Sequence, residues 1–313
     1  MRNRTPVKHD EESGPPERLG AHVSTQGGVQ NAPGRGVAIG ATAIQVFTKT
    51  PNQWREPEIG QTVCETFRGE LESSGLRAVI AHDSYLINLA SPDPVLNLRS
   101  VRSFVAELQR CQALGIPAVV SHPGNYIDDR EAGIRRNAEG YTQSLEAVGD
   151  VKILLETTAG CGTALGSTFE ELAELRGLIP ATLRERVGFC ADTCHLYSAG
   201  YDLATDFDGV WQKWDAAIGL SHLACLHLND SKTPFHSCRD RHELIGEGSL
   251  GKAPFRRIMT DPRLAHTIKI LETPKGEDLI TNDRRMLRRL RAYARNGQVG
   301  QWVGGSVGRW VSG

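Results

Sequence analysis

The sequence predicts an α/β fold, a single (β/α)8 TIM barrel with a flexible tail at each end, on the strength of three observations. Eight short apolar runs, each of strand length, recur between residues 20 and 296. Stretches with apolar residues at helical spacing lie between them, and alternating strand and helix implies parallel pairing. Six of the runs end on His, Glu or Asp, and a closed barrel gathers the C-terminal ends of its strands on one face. A doubly wound open sheet would not bring six such ends so close together.

In chain order, residues 1–19 carry eight charges and three prolines with no apolar run. That composition predicts a mobile N-terminal tail, and neither a secretory signal nor a transit peptide. The first strand reaches His22, and Ala41 to Phe47 leads to Lys49. Ala78 to Ala81 ends in His82, Ala118 to Ser121 in His122, and Val151 to Leu155 in Glu156. Gly188 to Ala191 then ends in Asp192, Leu223 to Leu226 in His227, and Thr267 to Leu271 in Glu272. Val101, Phe104, Val105 and Leu108 mark one of the intervening helices, and Phe169 to Leu178 another. The arginines of 284–291 share their stretch with Leu287, Leu290 and, just beyond, Ala294. That spacing makes it a final barrel helix with a cationic outer face. Residues 297–313, with six glycines and one charge, form the C-terminal tail. The catalytic domain is thus expected over 20–296.

Composition narrows the function. Hydrophobic residues make up 39% and charged residues 23%, as in a globular protein with a sizeable core. No stretch approaches the roughly 18 apolar residues of a membrane span, which predicts a cytoplasmic protein with no membrane partner. A formal net charge of −1 means that nucleic-acid binding would rest on local patches or metals, not on a basic whole. Seven cysteines without a Cys-x-x-Cys pair fit buried thiols in a reducing compartment.

A single His after an apolar run is ordinarily a hydrogen-bonded structural residue. Six ligand-type residues at six equivalent strand ends are a different pattern, because clustered carboxylates repel unless a cation neutralises them. Three more candidates lie on the loops beyond. His195 follows Asp192 by three residues, and Asp240 and His242 are spaced to project the same way from an extended segment. The nine residues His82, His122, Glu156, Asp192, His195, His227, Asp240, His242 and Glu272 exceed what one tetrahedral ion needs. With a shared carboxylate they could hold two or three ions, an arrangement suited to phosphoryl chemistry.

These residues sit in recognisable stretches: Gly20-Ala21-His22-Val23-Ser24, Phe47-Thr48-Lys49 with Gln53-Trp54-Arg55, and His82-Asp83-Ser84-Tyr85-Leu86-Ile87-Asn88-Leu89. His122-Pro123-Gly124, Glu156-Thr157-Thr158-Ala159-Gly160 and Asp192-Thr193-Cys194-His195 follow. The last are His227-Leu228-Asn229-Asp230-Ser231-Lys232, Asp240-Arg241-His242 and Ile245-Gly246-Glu247-Gly248. Over about residues 20–290 the chain resembles the endonuclease IV family of apurinic/apyrimidinic endonucleases.

The resemblance implies a monomer that cuts double-stranded DNA 5′ to abasic sites in base excision repair, leaving a 3′-hydroxyl and a 5′-deoxyribose phosphate. It implies three Zn2+ per chain: His82 and His122 on the first, Glu156 bridging to the second, Asp192, His227 and Glu272 completing the second, and His195, Asp240 and His242 on the third. Glu156 is also implied as the catalytic residue that orients the attacking oxygen. Tyr85 and Leu86 match the family's wedge into the damaged duplex, and Lys49 and Asn52 fall in the neighbouring DNA-contacting loop. Arg55, Lys232, Arg241 and Lys275 are further phosphate-contact candidates.

Two departures stand out. Thr50-Pro51-Asn52 lacks the basic residue the family places there, which puts one contact with the duplex in doubt. His236-Ser237 stands where the family has Gly-Ser, so a positive φ at that position would strain His236 or shift its loop. Two other readings fit parts of the pattern. A metal-dependent sugar isomerase or epimerase would leave His195, Asp240 and His242 surplus, and a catalytically silent DNA-damage binder would have no use for nine intact ligands.

Overall fold

The structure of the chain, a computed structural model, describes the backbone of residues 17–302 and the side chains of residues 17–296. Of the tails expected over 1–19 and 297–313, residues 1–16 and 303–313 lie outside the described residues, while Leu19 belongs to the first strand and 297–302 to the last helix. The elements are β1 (Leu19–His22), α1 (Ala32–Ile39), β2 (Ala43–Phe47), α2 (Gln61–Ser73), β3 (Ala78–His82), α3 (Pro94–Leu114) and β4 (Ala118–Ser121). They continue with α4 (Arg130–Ala147), β5 (Lys152–Glu156), α5 (Phe169–Leu178), α6 (Ala181–Arg184), β6 (Val187–Asp192), α7 (Thr193–Ala199), α8 (Phe207–Ala217) and β7 (Leu223–His227). A two-residue pair, β8 (Asp230–Ser231) and β9 (His242–Glu243), precedes α9 (Ala253–Ile258), β10 (Ile268–Leu271) and α10 (Thr281–Trp302).

Strands β1 to β7 and β10 close into a parallel barrel in the order β1-β10-β7-β6-β5-β4-β3-β2, as the alternating apolar runs predict. The helix over 284–291 is present as part of α10, and it continues past residue 296 to Trp302. Leu287 and Leu290 are buried, and the cationic face is largely paired. Arg285 and Arg289 reach Glu247, and Arg291 reaches Glu17, which ties the last helix to the chain just before β1.

Alternation along the strands splits the core in two. Val79, Val119, Ile153, Phe189 and Leu226 belong to the large cluster packed under the helices. Ala43, Ile80, Ala118, Val120, Leu154, Cys190, Cys225 and Ile270 form a separate small cluster, the filling of the barrel itself. Side-chain caps fix where helices begin. Asp93 accepts hydrogen bonds from the backbone of Val95 and Leu96 at the start of α3, Thr168 caps α5, and Asp192 caps α7.

Candidate metal centre

The period of two along a strand places the functional residues. Two positions beyond each inward-facing residue, the next inward side chain emerges at the C-terminal mouth. Ile80 is thus followed by His82, Val120 by His122, Leu154 by Glu156, Cys190 by Asp192, Cys225 by His227 and Ile270 by Glu272. The same rule follows Ala43 with Gln45 and Gly20 with His22. Each of the eight barrel strands therefore sends one polar side chain into a common layer.

Glu156 is the centre of that layer and is fully buried. Its Oε2 lies 3.1 Å from His82 Nε2 and 2.9 Å from His122 Nε2, and its Oε1 lies 2.9 Å from His227 Nδ1. Glu272 Oε2 stands 3.2 Å from the same His227 nitrogen. On the other side, His195 Nε2 and His242 Nε2 face the two oxygens of Asp240, at 3.2 and 3.1 Å, and His242 Nε2 lies 3.6 Å from Asp192 Oδ2. All nine sequence-predicted ligands are thus brought together. They fall into three groups: His82, His122 and Glu156; Glu156, Asp192, His227 and Glu272; and His195, Asp240 and His242. Within each group the candidate ligand atoms lie within 4.8 Å of one another.

Three features show that this donor set fits metal ions. Buried His195 Nε2 and His242 Nε2 have no hydrogen-bond partner, although carboxylate oxygens lie close to both. The donors are imidazole nitrogen and carboxylate oxygen, the set preferred by zinc and related divalent ions. The remaining nitrogen of most rings is held from behind, as ligating histidines require. His82 Nδ1 meets the carbonyl of Asp83 at 3.0 Å, His195 Nδ1 that of Thr157 at 2.8 Å, and His242 Nδ1 that of Glu272 at 3.2 Å. His227 Nε2 instead meets Gln45 Oε1 at 2.8 Å.

Local sequence explains this rigidity. In Asp192-Thr193-Cys194-His195, one Asp192 oxygen accepts the backbone N–H of His195 at 2.9 Å, so the strand-end carboxylate also caps the helix that presents the imidazole. Its other oxygen accepts from Asn229 Nδ2 at 2.6 Å, while Asn229 Oδ1 accepts the backbone N–H of Glu272 at 2.9 Å. Asn229 therefore links the carboxylate of Asp192 to the backbone of Glu272.

Electrostatics follow from the packing. Burial opposes charge on Glu156, but the imidazoles of His227 and His122 prevail and hold it well below the usual carboxylate range. Burial would likewise lower His227, yet the carboxylates of Glu272 and Glu156 raise it well above the ordinary value for histidine. His82 and His195 move the same way, and His242 is pushed up to about 9, burial being outweighed by Asp192 and Asp240. Without metal, the surrounding carboxylates thus favour the protonated form of these imidazoles.

The DNA-contact candidates divide. Tyr85 is 70% exposed at the mouth, its ring leaning edge-on against Phe47 with centroids 5.4 Å apart, and Leu86 beside it is half-buried. Asn52 is exposed on the adjacent loop, which is tied to Tyr85's loop by a hydrogen bond from Ser84 Oγ to the Pro51 carbonyl. Lys49 requires a correction. The apolar run of β2 ends at Phe47, and Lys49 folds back into the interior. Its Nζ lies 2.5 Å from Glu56 and 3.0 Å from Ser103 Oγ. With its charge engaged in that buried network, which also includes Arg110, Lys49 anchors the loop instead of touching phosphate. Arg55, Lys232 and Arg241 are exposed, and Lys275 pairs with Asp283 at 2.8 Å.

His236 adopts φ 57°, the left-handed conformation that glycine accommodates freely. The histidine takes the strain of that conformation, about 1 kcal/mol, with backbone hydrogen bonds from His236 to Tyr197 and from Cys238 to Ser198 holding the segment on α7. Sequence reasoning missed Gln45 and Asn229, which carry neither charge nor a metal-ligand signature. The signal that could have found Gln45 is its place two residues beyond an inward-facing alanine.

A closed parallel barrel with a layer of clustered imidazoles and carboxylates at its C-terminal mouth defines a class of metal-dependent barrel enzymes. Residues 35–290 match the family model described as Xylose isomerase-like TIM barrel. The chain is 46% identical over 265 residues to the probable endonuclease 4 of Geobacter sulfurreducens, covering 83% of this chain and 89% of that protein. It also superposes on the crystal structure of endonuclease IV from Thermus thermophilus with a TM-score of 0.80 at 36% identity, covering 90% of this chain and all of that one. A D-psicose 3-epimerase from Clostridium cellulolyticum shares only the fold, at 14% identity and a TM-score of 0.59, over 90% of this chain and 93% of that one. The chain belongs to the endonuclease IV family.

Proposed function

We propose that this protein is a zinc-dependent apurinic/apyrimidinic endonuclease that hydrolyses the phosphodiester 5′ to an abasic site in double-stranded DNA. It leaves a 3′-hydroxyl and a 5′-deoxyribose phosphate, and it acts as a monomer in the cytoplasm. The observation that carries this reading is the third ligand group. His195, Asp240 and His242 stand beside a site already complete in Glu156, Asp192, His227 and Glu272, and a sugar isomerase or epimerase on the same fold would have no use for it. Among the described residues no helix is long and apolar enough to cross a membrane.

Three zinc ions held by these groups would supply positive charge for the phosphoryl oxygens and lower the pKa of water at the site. The chain's own residues do the rest. Glu156, ionised at neutral pH, accepts a hydrogen bond from the attacking water and orients it toward phosphorus. Asp192 and Asn229 keep strand and loop ligands in register, so little reorganisation accompanies the reaction. Tyr85 and Leu86 enter the gap left by the missing base, and Asn52 lies against the backbone nearby. An incision assay on a duplex carrying one tetrahydrofuran residue tests the proposal, with a single cut 5′ to the lesion expected and an intact duplex counting against it.

Metal uptake gives a second test. Purified protein should hold close to three zinc equivalents, and the imidazoles that are protonated without metal must release their protons on loading. Zinc affinity should therefore rise as pH increases toward about 9, where His242 loses its proton. Titration calorimetry at pH 7 in buffers of differing ionisation enthalpy measures the release. Uptake of one ion or none would contradict the trinuclear reading.

The wedge separates recognition from chemistry. Unstacking costs a few kcal/mol, least where a base is already absent, and an inserted side chain recovers part of it. The double substitution Tyr85→Ala with Leu86→Ala should weaken abasic-duplex binding severalfold or more and raise KM, with zinc content unchanged. Equal affinity in a salt-matched titration would return both residues to loop packing.

A further inference from the structure

We infer that Gln45 is a positioning residue of the metal centre, fixing which nitrogen of His227 faces the ions and which nitrogen of His22 is left to donate. The inference rests on the metal-centre reading above. Gln45 is fully buried at the inward mouth position of β2, the place that other strands fill with a candidate ligand. Its amide meets three groups from three other strands. Nε2 lies 2.6 Å from Glu272 Oε1 and 2.9 Å from His22 Nδ1, and Oε1 lies 2.8 Å from His227 Nε2.

These contacts admit one assignment. The carboxylate of Glu272 can only accept, so the NH2 end must face it, and the carbonyl end must face His227. His227 Nε2 then carries a hydrogen that it donates to Gln45, which leaves Nδ1 as the ligating atom. That nitrogen is the one lying 2.9 Å from Glu156 and 3.2 Å from Glu272. The same NH2 donates to His22 Nδ1, so the hydrogen of a neutral His22 sits on Nε2, a buried atom with no partner in the protein. One neutral side chain thus sets two ring tautomers and holds a third group, Glu272, against rotation. Backbone carbonyls do this work for His82, His195 and His242, but an acid at this position would repel Glu272, whereas an amide offers both an acceptor and donors.

Partners that orient ligating histidines typically change metal affinity by about 10–100-fold when removed. The test uses the full chain with Gln45→Met, which keeps length and loses every hydrogen bond. Competition against a chromophoric chelator should show one of the bound zinc equivalents weakened by about 10–100-fold, with the others unchanged. Long-range proton–nitrogen correlation spectra of the zinc-loaded protein should show a single Nε2–H form of His227 in the wild type and its loss in the variant. On abasic duplex, kcat should fall with KM nearly constant. Gln45→Asn, whose amide is too short to span all three partners, should show the same loss and serves if the methionine variant does not fold. Zinc affinities within twofold of wild type together with an unchanged His227 signal would overturn the inference alone. A wild-type protein that takes up no zinc would overturn the metal-centre reading with it.

Discussion

Glu156→Gln should lower incision of an abasic duplex by about three orders of magnitude, the equivalent of ~4 kcal/mol in the barrier. Gln keeps the size of the side chain but loses the charge that four imidazoles converge on. His82 and His122 face one oxygen, and His227 and His195 the other, at 3.1, 2.9, 2.9 and 3.4 Å respectively. An amide has one acceptor oxygen, so its NH2 group must point at one of these pairs and repel whatever cation lies there. It also cannot orient water with the strength of a charged acceptor. Binding to abasic duplex should persist, because Tyr85 and Leu86 are untouched. Single-turnover incision by protein checked for zinc content is the measurement. Near-normal incision by a metal-replete variant would move the orienting role to another group.

Asp230→Ala should lower the thermal midpoint by about 10 °C, reflecting a loss of about 3–5 kcal/mol from a buried network. Asp230 follows Asn229 in the same stretch of sequence but ligates nothing. It is fully buried, and its two oxygens accept four backbone N–H groups: Ser231 at 2.8 Å, Leu250 at 2.9 Å, Gly246 at 2.9 Å and Gly248 at 3.1 Å. Alanine would leave these donors without a partner. The clamp also explains a glycine, since a Cβ on Gly248 would stand 2.3 Å from the Ser231 carbonyl oxygen. Ser231 pairs with His242 across β8 and β9, so loosening the clamp should weaken the third ligand group as well. Thermal melts with and without zinc measure both effects, and a midpoint within about 3 °C of wild type would show that the loop is held by other contacts.

Legibility in the sequence followed the physics of each element. Strand ends are readable because six of the eight buried runs stop at His, Glu or Asp, and burial in a parallel barrel requires continuous apolar runs. The nine ligands followed from that pattern together with two short motifs on the loops. β2 departs from that pattern. Its polar inward residue, Gln45, lies inside the run, and the first charged residue after the run is Lys49. Lys49 is a cation at a plausible distance from the mouth, but whether a lysine reaches outward or folds back depends on what lies behind it. Glu56, Ser103 and Arg110 decide that, and two of them come from α3, more than fifty positions along the chain.

Periodicity is a local property, and it suffices for the barrel, the order of its strands along the chain and the identity of the candidate ligands. Which nitrogen of each ring faces the centre, and the hold of Gln45, Asn229 and Asp230 on the arrangement, follow from contacts that exist once the chain has folded. These three side chains act through hydrogen bonds to residues distant in sequence, on other strands or loops. A neutral amide, or a carboxylate that binds only backbone N–H groups, carries no sign of such partners in its own neighbourhood. Closing the barrel brings them within reach, because the parallel strands then open onto one mouth.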